Sequence, residues 1–140
     1  MNLFVLDTDI LTLFQRGTSA ILARVAQYSS SEIAISVVTV EEQLSGWYTQ
    51  LRKAKGPEKL AWAYRRLAAN VRFMARLRIL DYEEAAINRY EALKRLQLKV
   101  RKMDLQIAAT ALEHFGGTLV TRNVRDFKQV PGLRIEDWSK

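Results

Sequence analysis

The chain has 140 residues, a formal net charge of +7 and no cysteine. This length suits one domain with a real core, and the missing cysteines exclude both a disulfide framework and a cysteine-based zinc site. No apolar run reaches the ~20 residues that span a bilayer, and Asp7 interrupts the apolar start, which argues against a secretory signal. We therefore expect a single domain over residues 1–140, in the cytoplasm and without membrane contact.

The first part of the chain alternates short strands with helices. Residues 3–6 form an apolar run that predicts a buried strand, and Asp7 ends it. Helical spacing of apolar residues follows up to Gly17, and residues 19–28 predict a second short helix. Residues 33–36 predict a second buried strand.

The middle of the chain predicts two longer helices. Thr39 suits the N-cap of a helix over residues 40–53, and Glu42 three residues later completes a capping-box pattern. Pro57 suits the first turn of the next helix. An apolar stripe at helical spacing there predicts core packing; its members are Leu60, Tyr64, Leu67, Val71 and Met74.

The last part of the chain returns to the same alternation. The remaining predicted elements are a strand at 78–80, a helix at 83–94, a helix at 104–115 ended by Gly116, and strands at 118–121 and 133–135. Strands that alternate with helices across short loops indicate an α/β fold with a mostly parallel sheet. In such sheets, ligands bind outside the carboxyl ends of the strands.

Charge is unevenly distributed along the chain. Residues 52–102 hold 15 of the 22 basic residues and 5 of the 15 acidic ones, whereas the remainder holds 7 basic and 10 acidic residues. A basic half beside an acidic half indicates a polyanion-binding surface next to a carboxylate cluster. The alternative is that the basic residues only solvate helix faces.

Four acidic residues fall where that carboxylate cluster is expected. Asp7 and Glu42 follow the first two strands, Asp104 opens a helix, and Asp126 follows strand 118–121. Taken singly, Asp104 and Glu42 are equally explained as helix-capping residues. Together, converging carboxylates need a cation between them, and oxygen ligands with only one histidine favour Mg²⁺ or Mn²⁺. Such an ion activates water to attack a phosphodiester, so the pattern indicates a metal-dependent nuclease.

Four blocks, in order along nearly the whole chain, resemble the PIN-domain family and specifically its VapC-type toxins. They are Leu6-Asp7-Thr8-Asp9, the segment 35–46 with Thr39 and Glu42, Met103-Asp104-Leu105-Gln106-Ile107-Ala108-Ala109, and the closing segment 119–138. By this resemblance, Asp7, Glu42 and Asp104 are catalytic, and Asp7 and Asp104 hold the metal. Asp126 is the candidate for a fourth catalytic acid. Thr8, Asp9, Thr121 and Asn123 are implied as supporting residues around it.

Two positions depart from the family's pattern. Asn123 stands where the family often has an acid, so either Asn123 or Asp126 completes the site. Asp9 stands where the family usually has asparagine, and its extra charge either compensates for Asn123 or caps the helix.

The resemblance implies an α/β/α sandwich with a helical clip at about residues 46–78, and an endoribonuclease that uses Mg²⁺ or Mn²⁺. It also implies a homodimer and a VapB-type antitoxin that inhibits a toxin. Lys99, Arg101 and Lys102 precede Asp104 and are predicted to contact RNA phosphates. The alternatives are a nuclease of RNA processing or of structured DNA, or an inert RNA-binding PIN domain.

Overall fold

The computed structural model describes residues 2–140, and a five-stranded sheet forms its centre. The strands are β1 (Leu3–Leu6), β2 (Ile33–Ser36), β3 (Arg78–Leu80), β4 (Gly117–Val120) and β5 (Arg134–Glu136). Their order is β3-β2-β1-β4-β5, and all four neighbouring pairs are parallel. The expected α/β fold with a parallel sheet is confirmed.

Seven helices connect and flank these strands. They are α1 (Thr8–Gln15), α2 (Ser19–Val25), α3 (Val37–Lys53), α4 (Pro57–Ala75), α5 (Glu84–Lys94), α6 (Lys102–Glu113) and α7 (Val124–Phe127). A single 3₁₀ turn at Ser30–Glu32 precedes β2. Over residues 2–140, no helix has both the length and the apolar character needed to cross a membrane.

The sheet is buried on both faces: all residues of β1 and β2 are buried, and so are all residues of β4 after Gly117. Alternate residues of β1 point to opposite faces, with Leu3 and Val5 in one core and Phe4 and Leu6 in the other. Helices α5 and α6 contribute to the first core, and α1, α2 and Met74 of α4 contribute to the second. This two-sided burial produces an α/β/α sandwich, as predicted.

The predicted capping box at Thr39 is wrong. Helix α3 begins at Val37, and the Ser36 side chain accepts a hydrogen bond from the Val38 backbone N–H at 3.0 Å. Thr39 is fully buried in the first turn of the helix. The chain passes from strand to helix without a loop, so the last residue of β2 is the one in capping position.

Helix α6 also begins earlier than expected. Its first residue is Lys102 and its N-cap position is Arg101, so Asp104 lies inside the first turn rather than opening the helix. Its carboxylate still lies at the positive end of the helix dipole.

The apolar stripe of α4 is not core packing for most of its length. Met74 is buried, but Leu60, Tyr64 and Val71 are exposed. Helix α4 packs mainly on α3 and reaches the sheet only near its C-terminal end. Its outer face is therefore left open, and the helical clip at 46–78 stays a prediction.

Candidate active site

A polar pocket lies outside the carboxyl ends of β1 and β4. Its volume is about 440 Å³, and it is lined by Asp7, Thr8, Asp9, Arg101, Asp104, Arg122, Asn123 and Phe127. Distant parts of the sequence supply these residues because β1 and β4 are neighbours although more than 100 residues separate them. The sheet thus brings together Asp7 and Asp104, two of the acids selected from the sequence.

Asp7 is the most constrained acid of the pocket. Its backbone N–H donates to the Val120 carbonyl at 3.0 Å, which continues the β1–β4 pairing by one residue. Its Oδ1 accepts from the Ile10 backbone N–H at 2.8 Å, so the side chain caps α1. Burial raises the pKa of Asp7 to about 6, and hydrogen bonds from Thr121 and Ile10 oppose that shift only in part.

Asp104 is held by an arginine of its own chain. The Arg101 Nε and Nη2 atoms lie 3.1 and 3.3 Å from the two carboxylate oxygens of Asp104. The same Nη2 atom lies 3.8 Å from Oε2 of Glu42. Hydrogen bonding to Asp104 raises the pKa of Arg101, so the guanidinium stays charged and places a positive group between two acids.

Glu42 lies at the edge of the pocket and is anchored by Thr8. The Thr8 hydroxyl lies 2.7 Å from Glu42 Oε1, to which it donates, and 3.2 Å from the hydroxyl of Thr39. The buried hydroxyl of Thr39 thus helps to hold Thr8 in place. Thr39 does not cap α3 but contacts Thr8, and the catalytic role of Glu42 stays a prediction.

Asp9 is paired across the mouth of the pocket. The Arg122 Nε and Nη2 atoms donate to its two carboxylate oxygens at 2.7 and 2.9 Å, and both side chains are about half exposed. The extra charge of Asp9 is therefore neutralised by Arg122.

Asn123 and Asp126 take different places around the pocket. Asn123 lines the pocket, and its backbone N–H donates to the Thr121 hydroxyl at 2.9 Å. Its Nδ2 donates to Oδ2 of Asp126 at 2.8 Å. Asp126 does not line the pocket and contacts it through Asn123.

Of the predicted RNA-binding residues, only Arg101 lines the pocket. The backbone of Lys99 is tied to Gln129, whose side chain accepts from its N–H at 3.2 Å. Lys99 and Lys102 are both exposed nearby. Their contact with RNA stays a prediction.

The donors present fit a hard divalent cation. Within residues 2–140, no three acidic or histidine side chains are close enough to form a preassembled metal cluster. A Mg²⁺ ion often uses only one or two carboxylates and keeps several waters. Asp7 and Asp104 meet that requirement, since Asp7 is a buried carboxylate that forms no ion pair with an arginine or lysine of this region. Asp104 is paired with Arg101, so an ion that binds Asp104 has to displace this guanidinium.

Two residues of the pocket were not selected from the sequence. Arg122 directly follows Thr121 at the end of a strand. That position alone could have predicted that Arg122 lies near the site, because ligands bind outside the carboxyl ends of parallel strands. Phe127 is fully buried behind the pocket, and its apolar character predicts only core packing.

A second, larger depression adjoins the pocket and is called the helical groove below. It lies between α1, α3 and α4 and has a volume of about 800 Å³. Its lining residues are Thr12, Gln15, Arg16, Glu42, Gln43, Gly46, Trp47, Gln50, Trp62, Arg66, Ala69, Asn70 and Phe73. Glu42 belongs to both regions, because it lines the groove and contacts Thr8 and Arg101 of the pocket.

Comparisons with known proteins agree on one family. The family model of the PIN domain matches residues 4–133. The chain is 32% identical to the tRNA(fMet)-specific endonuclease VapC of Salmonella typhimurium, covering 96% of this chain and 97% of that protein. It is also 32% identical to the ribonuclease VapC2 of Haemophilus influenzae, with the same coverage. The crystal structure of DNA-bound VapBC from Salmonella typhimurium matches with a TM-score of 0.80 and 30% identity over 99% of both chains.

Proposed function

This chain belongs to the PIN-domain family and is a nuclease of the VapC type, and we propose that it is the RNA-cleaving toxin of a toxin–antitoxin pair. The observation that carries the proposal is the buried carboxylate of Asp7 facing Asp104 at the carboxyl ends of the central strands. Full-length similarity to two enzymes named as VapC nucleases supports RNA as the substrate. The resemblance drawn from the sequence is confirmed.

We assign Asp7 and Asp104 as the residues that hold Mg²⁺ or Mn²⁺, which would polarise the scissile phosphate and lower the pKa of a bound water. The protein holds the carboxylate of Asp7 in a fixed position for metal binding. Asp7 is fixed by its capping bond to Ile10 and by Thr121, so its carboxylate has little freedom to turn away. Asn123 offers a neutral oxygen on the same wall, and Asp126 orients the amide of Asn123.

Glu42 has a separate role in the proposal. Its Oε1 is occupied by Thr8, whereas Oε2 faces Arg101 and is open to a hydrogen bond from water or substrate. We assign it to orienting the attacking water beside the scissile phosphate. Once Arg101 leaves Asp104, its guanidinium is free to pair with a phosphate oxygen of the RNA.

An antitoxin partner fits the electrostatics of the pocket. Arg101 shows that a guanidinium is accommodated between Asp104 and Glu42. An arginine or lysine of an antitoxin placed there would compete with the divalent cation. The exposed apolar side chains of Leu60 and Val71 on α4 offer a docking surface. A homodimer and a cytoplasmic location belong to the same proposal.

The nuclease is tested with purified protein and the tRNA(fMet) for which the Salmonella typhimurium relative is named, followed by total RNA with sequencing of new 5′ ends. We expect cleavage that EDTA abolishes and that Mg²⁺ or Mn²⁺ restores. Asp7→Asn is the matched inactive control, because asparagine keeps the capping oxygen and removes the charge. Equal cleavage in EDTA, or by Asp7→Asn, would contradict the metal assignment.

The toxin role is tested by co-expression with the product of the neighbouring small reading frame. We expect a stable complex in which cleavage is suppressed and growth is rescued. If no neighbouring product binds or inhibits the enzyme, the chain is instead a nuclease of RNA processing with the same chemistry.

A further inference from the structure

The helical groove has Glu42 at the end that adjoins the pocket, and it lies between α1 and the α3–α4 hairpin. Glu42 is the point of continuity, since it lines the groove and is 3.8 Å from Arg101 of the pocket. An RNA strand with one phosphate in the pocket can therefore continue directly into the groove. The volume of about 800 Å³ accommodates more than one nucleotide-sized group.

The lining of the groove complements a polyanion that carries hydrogen-bonding bases. Arg16 and Arg66 are its basic residues, and Glu42 at the pocket end is its one acidic residue. Four amide side chains add donors and acceptors to the walls: Gln15, Gln43, Gln50 and Asn70. Amides of this kind pair with the edges of unpaired bases.

One of these amides is buried and only half satisfied. Asn70 is 6% exposed, and its Nδ2 donates to Oε1 of Gln43 at 2.9 Å. Its Oδ1 is shielded from solvent and accepts no hydrogen bond in the part of the chain that the structure describes. Because Asn70 lines the groove, this unpaired oxygen belongs to the groove wall, where leaving it unpaired costs free energy.

An aromatic platform stands in the same groove. The Trp62 side chain is 49% exposed. Its ring contacts the ring of Trp47 edge-on, with 5.8 Å between the two centroids. The guanidinium of Arg66 lies 5.9 Å from the Trp47 ring and so supports the pair from another side. The two rings hold each other in place while half of the Trp62 surface stays open, as a stacking surface for a base requires.

We propose that the helical groove is a single-stranded RNA subsite in which Trp62 stacks on a base next to the scissile phosphate. Arg16 and Arg66 neutralise the neighbouring phosphates, and the amides contact the base edges. This assignment rests on the proposed ribonuclease function and adds to it a requirement for unpaired nucleotides on one side of the cut. It makes the groove the part of the enzyme that selects single-stranded or looped RNA over duplex.

The test measures binding without cleavage in the Asp7→Asn background. A short labelled single-stranded RNA is titrated against Trp62→Ala, Trp62→Phe and Tyr64→Ala, with anisotropy as the readout and a duplex of the same sequence in parallel. Tyr64 is the matched control, since it is an exposed aromatic of α4 that does not line the groove. Circular dichroism melting confirms that each variant is folded.

We expect Trp62→Ala to weaken single-strand binding by about five- to a hundredfold, the range of one stacked base. Trp62→Phe should retain most of the affinity, Tyr64→Ala should match the parent, and binding to the duplex should not depend on Trp62. Intrinsic tryptophan fluorescence should be quenched by the single strand in the parent and much less in Trp62→Ala.

Unchanged single-strand affinity of a folded Trp62→Ala variant would overturn the subsite. The same conclusion would follow if Trp62→Ala weakened only the binding of the antitoxin, which would assign the groove to a protein. Absence of any RNA binding by the parent would contradict the proposed function itself, so the two failures are distinguishable.

Discussion

The pocket at the strand ends and the helical groove differ in how their side chains are held. In the pocket, each acid is fixed by named contacts: Asp7 by Ile10 and Glu42 by Thr8, for example. In the groove, the rings and amides stand on helices that do not belong to the sheet, and Trp62 is half exposed. Chemistry needs positions set within a fraction of an ångström, whereas recognition of a flexible strand tolerates adjustment. Changes in the pocket should therefore lower kcat, and changes in the groove should lower affinity.

The largest effect should come from Asp104. Asp104→Asn removes a carboxylate that lines the pocket, so cleavage should fall by more than the roughly 10- to 100-fold that a supporting residue costs. Asp126→Asn is the matched control, because Asp126 reaches the pocket only through Asn123. Single-turnover rates on the same RNA compare the two. A loss for Asp126→Asn as large as for Asp104→Asn would place Asp126 among the ligands.

A smaller effect is expected from the support of Glu42. Thr8→Val keeps the shape of the side chain but removes the hydroxyl that lies 2.7 Å from Glu42 Oε1. We expect kcat to fall by about 10- to 100-fold, as for other positioning contacts, with little change in RNA affinity. Cleavage kinetics and anisotropy on one substrate separate the two quantities. A variant that loses affinity and keeps kcat would contradict the division between pocket and groove.

The pKa of Asp7 predicts opposite pH trends for activity and for metal-free stability. Because burial raises this pKa from 3.8 to about 6, cation binding should strengthen as pH rises through about 6. In EDTA, the same shift stabilises the fold at low pH and is lost as pH rises through 6. Asp7→Asn should then be more stable than the parent at pH 7, by roughly 1–3 kcal/mol, and the difference should shrink at pH 4. Urea unfolding in EDTA at both pH values measures it, and a less stable Asp7→Asn at pH 7 would contradict the assignment.

Arg101 should weaken cation binding while it helps RNA binding. Arg101→Gln frees Asp104, so calorimetry should show Mg²⁺ or Mn²⁺ affinity increased by up to about fivefold, the contribution of one exposed ion pair. The salt slope of RNA binding should fall by about 0.7 for a single strand, since one phosphate contact is lost. For the cation affinity, Lys102→Gln controls for the loss of a positive charge, because Lys102 does not line the pocket. Unchanged cation affinity in Arg101→Gln would show that the guanidinium does not compete.

The smallest effect should come from Asp9. Its charge is already neutralised by Arg122, so Asp9→Asn should alter cleavage little. Arg122→Gln should instead leave Asp9 unpaired beside Asp7, raise the pKa of Asp7 further and move the pH–rate profile to higher pH. The two profiles, measured side by side, decide whether Asp9 is a paired surface residue. A severe loss for Asp9→Asn alone would make it a ligand.

Patterns that depend on local chemistry were readable in the sequence. Strands β1 and β2 were predicted at the residues where they occur, because a short apolar run between polar turns is typical of a buried strand. Asp7 was identifiable for the same reason, as an acid directly after a buried strand. Its second role, as the N-cap of α1, was not predicted, because Asp9 was the residue considered for capping that helix.

Features that depend on which elements become neighbours in the fold could not be predicted from the sequence. The Asp9–Arg122 pair joins residues 113 positions apart, and neither one signals the other. The periodicity of α4 predicted a buried stripe, yet Leu60 and Tyr64 are exposed, because α4 lies on α3 and not on the sheet. Thr39 matched a capping pattern that Ser36 satisfies instead, since only the structure shows that β2 turns directly into α3.

The position of β1 at the centre of the sheet has a consequence during synthesis on the ribosome. β1 leaves the ribosome before its partner β4, which begins at Gly117, so Asp7 acquires the Val120 carbonyl and Thr121 only after more than 100 further residues have been synthesised. A nascent or prematurely released chain therefore contains the acids without the pocket that aligns them. The topology thus delays assembly of the pocket, and with it any nuclease activity, until β4 has left the ribosome and paired with β1.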